Sequence, residues 1–143
     1  MDNPDDFQAL YVLRGPSGSG KSAFAISLQF HSKRIKIVEA DMYFTNDKGE
    51  YNFDPSQLGA AHKWCYEKAV GYLEKGYSVV VANVNYQLKH YQLYLKYAEE
   101  REIPVFVALI EGDFRDKVDD ELNKAPRDVV ARQKRLWEPH VTW

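Results

Sequence analysis

The chain has little that would staple or anchor it. A single cysteine, Cys65, among 143 residues excludes an internal disulfide, and four scattered histidines complete no zinc-ligand spacing. No apolar run approaches the roughly 20 residues a membrane-spanning helix needs. The stretch "MDNPDDF" has neither the basic start nor the apolar core of a signal peptide. Excess charge of one sign is also missing: 19 Lys and Arg stand against 21 Asp and Glu, a net charge of −2. A polyanionic partner would therefore need a local patch. Repeats and low-complexity tracts are absent. The expectation is one soluble, cytoplasmic domain with no membrane contact, and 45% hydrophobic residues suffice for its core.

What is present alternates. "ALYVLR" (9–14) is a short apolar run that stops at a glycine, as a buried strand does. "KSAFAISLQF" (21–30) has helical composition, and the β-branched "RIKIVEA" (34–40) suits a second strand. A long helix follows, with Asp54 as cap, Pro55 in the first turn and Gly76 as terminator. Its inward face carries Leu58, Ala61, Cys65, Ala69 and Tyr72. "YSVVVA" (77–82) and "PVFVALI" (104–110) read as strands flanking a helix over 88–102, with Leu88, Tyr91, Leu95 and Ala98 inward. Pro126 opens a final helix that Pro139 ends. Strands alternating with helices predict an α/β fold, a three-layer α/β/α domain over residues 1–143 with a parallel sheet of about four to five strands.

The chemistry starts at Gly15-Pro16-Ser17-Gly18-Ser19-Gly20-Lys21-Ser22, a G-x-x-x-x-G-K-S Walker A loop between the first strand and first helix. The glycines let backbone N–H groups turn inward around phosphates, and the helix start adds partial positive charge. Lys21 reaches the β and γ phosphates, and the Ser22 hydroxyl ligates Mg²⁺. The cofactors expected are ATP and Mg²⁺. Transfer of the γ-phosphoryl also needs a carboxylate near it, to take a proton from the acceptor or to orient water. Asp41 follows the second strand, on the sheet edge where the P-loop lies. It is the expected catalytic partner of Lys21 and, with Ser22, the expected metal-side residue. Asp47, Glu50 and Asp54 read as turn or capping residues.

"GPSGSGKS", "EADMYF", "YNFDPSQLGAAHKWC" and "GYSVVVANVN", in this order and spacing, resemble the P-loop kinase domains related to phage polynucleotide 5′-kinase. The likeness is strongest to the polynucleotide-kinase-like ATPase branch, with its D-D-Y-F, F-D-x-x-x-L-x-x-A-H and D-N-T-N elements, and runs from Tyr11 to Trp137. The resemblance implies a nucleoside-kinase-like P-loop fold and ATP-dependent transfer to a hydroxyl. It implies that Asp41 is the base and that Asn83 and Asn85 form a polar element beside the acceptor. The sequence departs from the pattern at Met42, where the family has a second Asp, and at Phe44, where the phage enzyme has an arginine. Ala82 and Val84 replace the branch's Asp and Thr. The lid region, about 111–126, is acidic where the family carries arginines, so Arg127, Arg132 or Arg115 would have to neutralise the transferring phosphoryl.

A second stripe on the helix 88–102, His90, Tyr94, Tyr97 and Arg101, offers rings and cations to a single strand, unless the tyrosines pack inward. The reading that results is a Mg-ATP-dependent kinase for the 5′-hydroxyl of a polynucleotide or nucleotide-like acceptor, with single-stranded nucleic-acid ends as partners. One alternative is a kinase of a small hydroxyl-bearing metabolite, its pocket lined by Tyr43, Phe44 and Asn85. Another is a nucleotide-binding module with weak or no transferase activity.

Overall fold

Apolar residues point alternately to two sides of a strand, so strands that bury both sides need a layer on each. The computed structural model describes residues 7–16, 18–110 and 137–139. In chain order these form β1 (Leu10–Arg14), α1 (Lys21–His31), β2 (Ile35–Val38), α2 (Leu58–Glu74), β3 (Ser78–Val81), α3 (Gln92–Glu100) and β4 (Val105–Leu109). The strands make one sheet in the order β2-β3-β1-β4, every neighbouring pair parallel. This is the α/β fold expected, with four strands among the described residues.

The two faces divide as the pleat requires. Leu10, Val12, Val79 and Val81 join Ala61, Cys65, Ala69 and Leu73 of α2 and Leu95 and Ala98 of α3 in one core. Leu13 and Val80 face the other way, onto Ala25 of α1. No helix among the described residues is long and apolar enough to cross a membrane.

Two helices start later than the sequence suggests. Asp54 does cap, accepting from Ser56 N–H at 3.0 Å, but Pro55–Gln57 form a 3₁₀ turn and α2 begins at Leu58, which is 43% exposed and not on the core face. The helix expected over 88–102 is a 3₁₀ turn, Leu88–His90, followed by α3. Tyr94 and Tyr97 are buried, Tyr94 against the Tyr66 ring at 5.3 Å and Tyr97 beneath the Arg101 guanidinium at 3.9 Å. Of the stripe, the two tyrosines are core, the inward-packing alternative, because α2 lies against them; His90 is half-buried and Arg101 exposed. The lid over 111–126, together with Ser17, Arg115, Arg127 and Arg132, lies outside the described residues. Of the expected final helix only Trp137–Pro139 are described, and they are not helical.

Arg14, the last residue of β1, is buried at 3% exposure. Its Nε donates to Asn85 O at 2.7 Å and its Nη2 to Tyr86 O at 3.1 Å and to Glu138 O. The guanidinium lies 4.9 Å from the Tyr91 ring centroid and 4.6 Å from that of Trp137. Glu138 N–H returns a bond to Tyr86 O at 2.7 Å. This clasp holds residues 137–139 on the strand that feeds the P-loop. Arg14→Met removes the Arg14 donor from Asn85 O and Glu138 O, while Tyr86 O keeps the Glu138 N–H, and a loss of roughly 2–4 kcal/mol is expected. Urea unfolding checks it, with an unchanged midpoint contradicting it.

Candidate active site

All four strands run the same way, so the segments leaving them gather on one edge: Gly15 after β1, Glu39 after β2, Asn83 after β3 and Ile110 after β4. The chain passes from β1 to β2 around β3 and later returns to the other side of β1 as β4, so the strand order reverses beside β1. Crevices in open α/β sheets form at such a reversal.

The loop after β1 is held tightly. Gly18 and Gly20 have φ of 84° and 101°, where a side chain would crowd the backbone. At Gly15 a Cβ would come within 2.5 Å of Ser19 Oγ and 2.7 Å of Ile110 O, so the exit of β4 fixes the loop from outside. α1 starts with no side-chain cap and no acidic residue in its first turn. Its leading N–H groups and positive dipole end are therefore directed to an anion. Lys21 is 8% exposed and donates to Gly15 O at 2.7 Å and Pro16 O at 3.0 Å. Burial lowers its pKa to about 8, against the opposing pull of Glu39 and Asp41.

Two carboxylates leave β2 with separate partners. Glu39 Oε1 accepts from the Ser22 hydroxyl at 2.9 Å. Asp41 Oδ1 accepts from the Tyr51 hydroxyl at 3.2 Å. A tight turn returns Tyr51 to Asp41. Thr45 and Tyr51 form an antiparallel bridge, Asn46 N–H bonds Glu50 O at 3.0 Å and Asn52 N–H bonds Phe44 O at 2.9 Å. The Asn46 side chain accepts from Lys48 and Glu50 N–H, and Gly49 takes a φ of 81°. Burial and the Asp41 carboxylate push the Tyr51 hydroxyl up to about 12, so it stays a donor. Glu39 and Tyr51 are the groups bonded to Ser22 and Asp41 that motif reading missed. The available signal was Glu39-Ala40-Asp41, two acids two residues apart at a strand exit.

Asn83 and Asn85 belong to the scaffold. Asn83 Oδ1 accepts from Ala40 N–H at 2.7 Å and its amide donates to Cys65 Sγ at 3.6 Å. It thereby fixes the start of the 3₁₀ turn Ala40–Phe44 that carries Asp41. Asn85, at φ 51°, donates to Leu13 O at 2.8 Å. Both are more than nine-tenths buried; strand exits in a tight sheet need their backbone groups satisfied, and these side chains do that, while the Asn85 Oδ1 is buried without a hydrogen-bond partner. Tyr43, by contrast, is 39% exposed.

The oxygens of Ser22 and Glu39, with phosphate oxygens, would offer the hard donor set Mg²⁺ takes. Among the described residues no group of three or more His, Cys, Asp or Glu gathers to hold a metal by itself. Glu39→Gln is expected to raise the Mg²⁺ concentration for half-maximal activity about 10–100-fold. A magnesium titration at saturating ATP checks it, and an unmoved midpoint removes Glu39 from the metal side.

No family model matches the chain. Human NEDD4-binding protein 2 is 35% identical over 97 residues, 67% of this chain, which spans 5% of that protein's length. Solved structures similar in fold include one in the Pnkp1/Rnl/Hen1 RNA repair complex, with a TM-score of 0.70 and 17% identity over 94% of this chain and 45% of that one. Kti12 from Chaetomium thermophilum with ADP-AlF3 gives 0.64 and 18% over 91% and 80%. The Mycobacterium tuberculosis APS kinase CysC with AMPPNP and APS gives 0.58 and 19% over 77% and 66%. The fold is that of the P-loop kinases.

Proposed function

We propose that this chain transfers the γ-phosphoryl group of Mg-ATP to a hydroxyl. The observation that carries the reading is the division of the two carboxylates at the exit of β2, Glu39 on Ser22 at 2.9 Å and Asp41 on Tyr51 at 3.2 Å. One is bonded to the Walker serine; the other keeps its second oxygen for an acceptor proton. Lys21 exchanges Gly15 O and Pro16 O for phosphate oxygens, and the P-loop amides and the start of α1 hold the rest of the triphosphate. As the acceptor oxygen bonds to the γ-phosphorus, its proton passes to Asp41 and the bond to the β–γ bridging oxygen breaks, leaving ADP. Bound Mg²⁺ supplies charge neutralisation to the phosphate oxygens.

For the acceptor, the resemblance to polynucleotide 5′-kinases supports a 5′-hydroxyl on a polynucleotide or nucleotide-like molecule. A small metabolite is the second reading, favoured by the burial of Tyr94 and Tyr97 and of Phe44, which occupies the place of the phage arginine. The test is transfer of labelled γ-phosphate from Mg-ATP to 5′-hydroxyl DNA and RNA oligonucleotides, nucleosides, simple polyols and water. Label on any hydroxyl acceptor supports the reading. Tight ATP binding with no acceptor labelled supports a nucleotide-binding module instead.

A further inference from the structure

Beside Asp41 lies an aromatic cluster that phosphate chemistry leaves unused. The Tyr51 and Phe53 rings are stacked, 12° from parallel with centroids 6.4 Å apart. Phe44 meets Phe53 edge-on at 5.1 Å and Tyr43 at 5.3 Å, and Tyr43 lies 6.2 Å from Trp64 of α2. Phe44 roots this cluster in the core at 7% exposure, while Phe53 at 49% and Tyr43 at 39% form its open side. Single exposed apolar residues need no explanation, but several joined together beside polar catalytic groups mark a ligand shelf. Tyr51 belongs to both parts: its ring is in the shelf and its hydroxyl holds Asp41.

Charge selects what the shelf receives. Residues 40–54 carry Asp41, Asp47, Glu50 and Asp54 against Lys48 alone. A phosphate there finds only Lys48 on this segment, whereas an uncharged ring gains by stacking and needs no cation.

We infer that the acceptor is a free, nucleoside-sized molecule recognised through an uncharged heteroaromatic ring laid on Phe53, Tyr51 and Tyr43, with its hydroxyl toward Asp41. The inference rests on the phosphoryl-transfer reading for the hydroxyl and on the shelf for the ring, and the two are tested apart. Binding of adenosine, cytidine and uridine, of ribose and of a 5′-hydroxyl oligonucleotide is measured by calorimetry with a non-hydrolysable ATP analogue and Mg²⁺. Transfer to each is measured in parallel.

A nucleoside is expected to bind at least about 10-fold tighter than ribose, since stacking on an aromatic side chain contributes about 1–3 kcal/mol per base. Phe53→Ala should abolish that advantage, raising KM about 10-fold with kcat within about twofold. Phe53→Leu, which keeps the packing on Phe44 and removes the ring, should behave the same way. Tyr51→Phe should keep nucleoside binding and lower kcat. Equal binding of ribose and nucleoside, or unchanged binding in both Phe53 variants, overturns the inference even if transfer occurs. Tighter binding of the oligonucleotide than of any free nucleoside overturns it in favour of a strand end. Ring-dependent binding without transfer upholds the shelf and sinks the phosphoryl-transfer reading.

Discussion

Asp41→Asn is expected to lower phosphoryl transfer by about 10²–10⁴-fold while ATP affinity changes by less than about threefold. The amide is nearly the shape of the carboxylate, and its oxygen can still accept the Tyr51 hydroxyl that Asp41 Oδ1 now accepts at 3.2 Å. The turn from Thr45 to Tyr51 should therefore stay in place. What is lost is the capacity to take the acceptor proton. Removing a negative charge that now pulls on Lys21 should, if anything, favour the triphosphate. Single-turnover transfer and equilibrium ATP binding, measured on the same protein, decide the matter. Retained transfer removes the base role. Lost transfer that returns at high Mg²⁺ would place Asp41 on the metal side with Glu39.

Lys21→Met should weaken ATP binding by about 10²-fold or more, because charge-assisted hydrogen bonds contribute about 1.5–3 kcal/mol each and the amine reaches two phosphates. The same lysine gives a pH signature. Burial brings its pKa to about 8 in the free protein, and bound phosphates favour the charged form, so binding above that pH must take up a proton. ATP affinity should be level below about pH 8 and fall tenfold per unit above it, until the amine in the complex itself deprotonates. Calorimetry in buffers of different ionisation enthalpy detects the uptake, and Lys21→Met should lack it. A level affinity to pH 9.5 in the wild-type protein would contradict the role.

The sign for folding is opposite. A lysine lowered from 10.5 to about 8 binds fewer protons folded than unfolded between those values. Its charged form therefore costs stability, on the order of 3 kcal/mol at neutral pH, and the cost is relieved as pH rises from about 8 to 10.5.

What could be read before the structure was local. A Walker loop announces itself because glycines, lysine and serine must be close in sequence to converge on one phosphate group. Short apolar runs and helical patterns located four strands and three helices because each element carries its own record of burial. What needed three dimensions was partnership. A helical pattern reveals faces but not how many are covered, so Tyr94 and Tyr97 read equally as an open stripe or as packed inward, and only the structure shows α2 against them. Asn83 and Asn85 looked available because nothing nearby shows that Ala40 N–H and Leu13 O would claim them. Glu39 passed as the end of a strand, and Arg14 as an ordinary charged boundary. The partners of Arg14 at Tyr86 and Glu138 are 72 and 124 residues away.

That last separation has a consequence during synthesis. β1 is made before its hydrogen-bonding neighbours, which are β3 and β4 rather than β2, and Arg14 gains its Glu138 contact only after another 124 residues. At about 5–20 residues per second, the strand that carries the phosphate loop waits roughly 6–25 seconds for its last partner. Until β3 and β4 are made β1 is an unpaired strand, and until residue 138 the Arg14 cation lacks the Trp137 ring and the Glu138 carbonyl, states in which chaperone capture or mispairing competes with folding. Ribosome pausing before codon 137 would extend the exposure, and substitution of Trp137 would carry the same vulnerability into the finished protein.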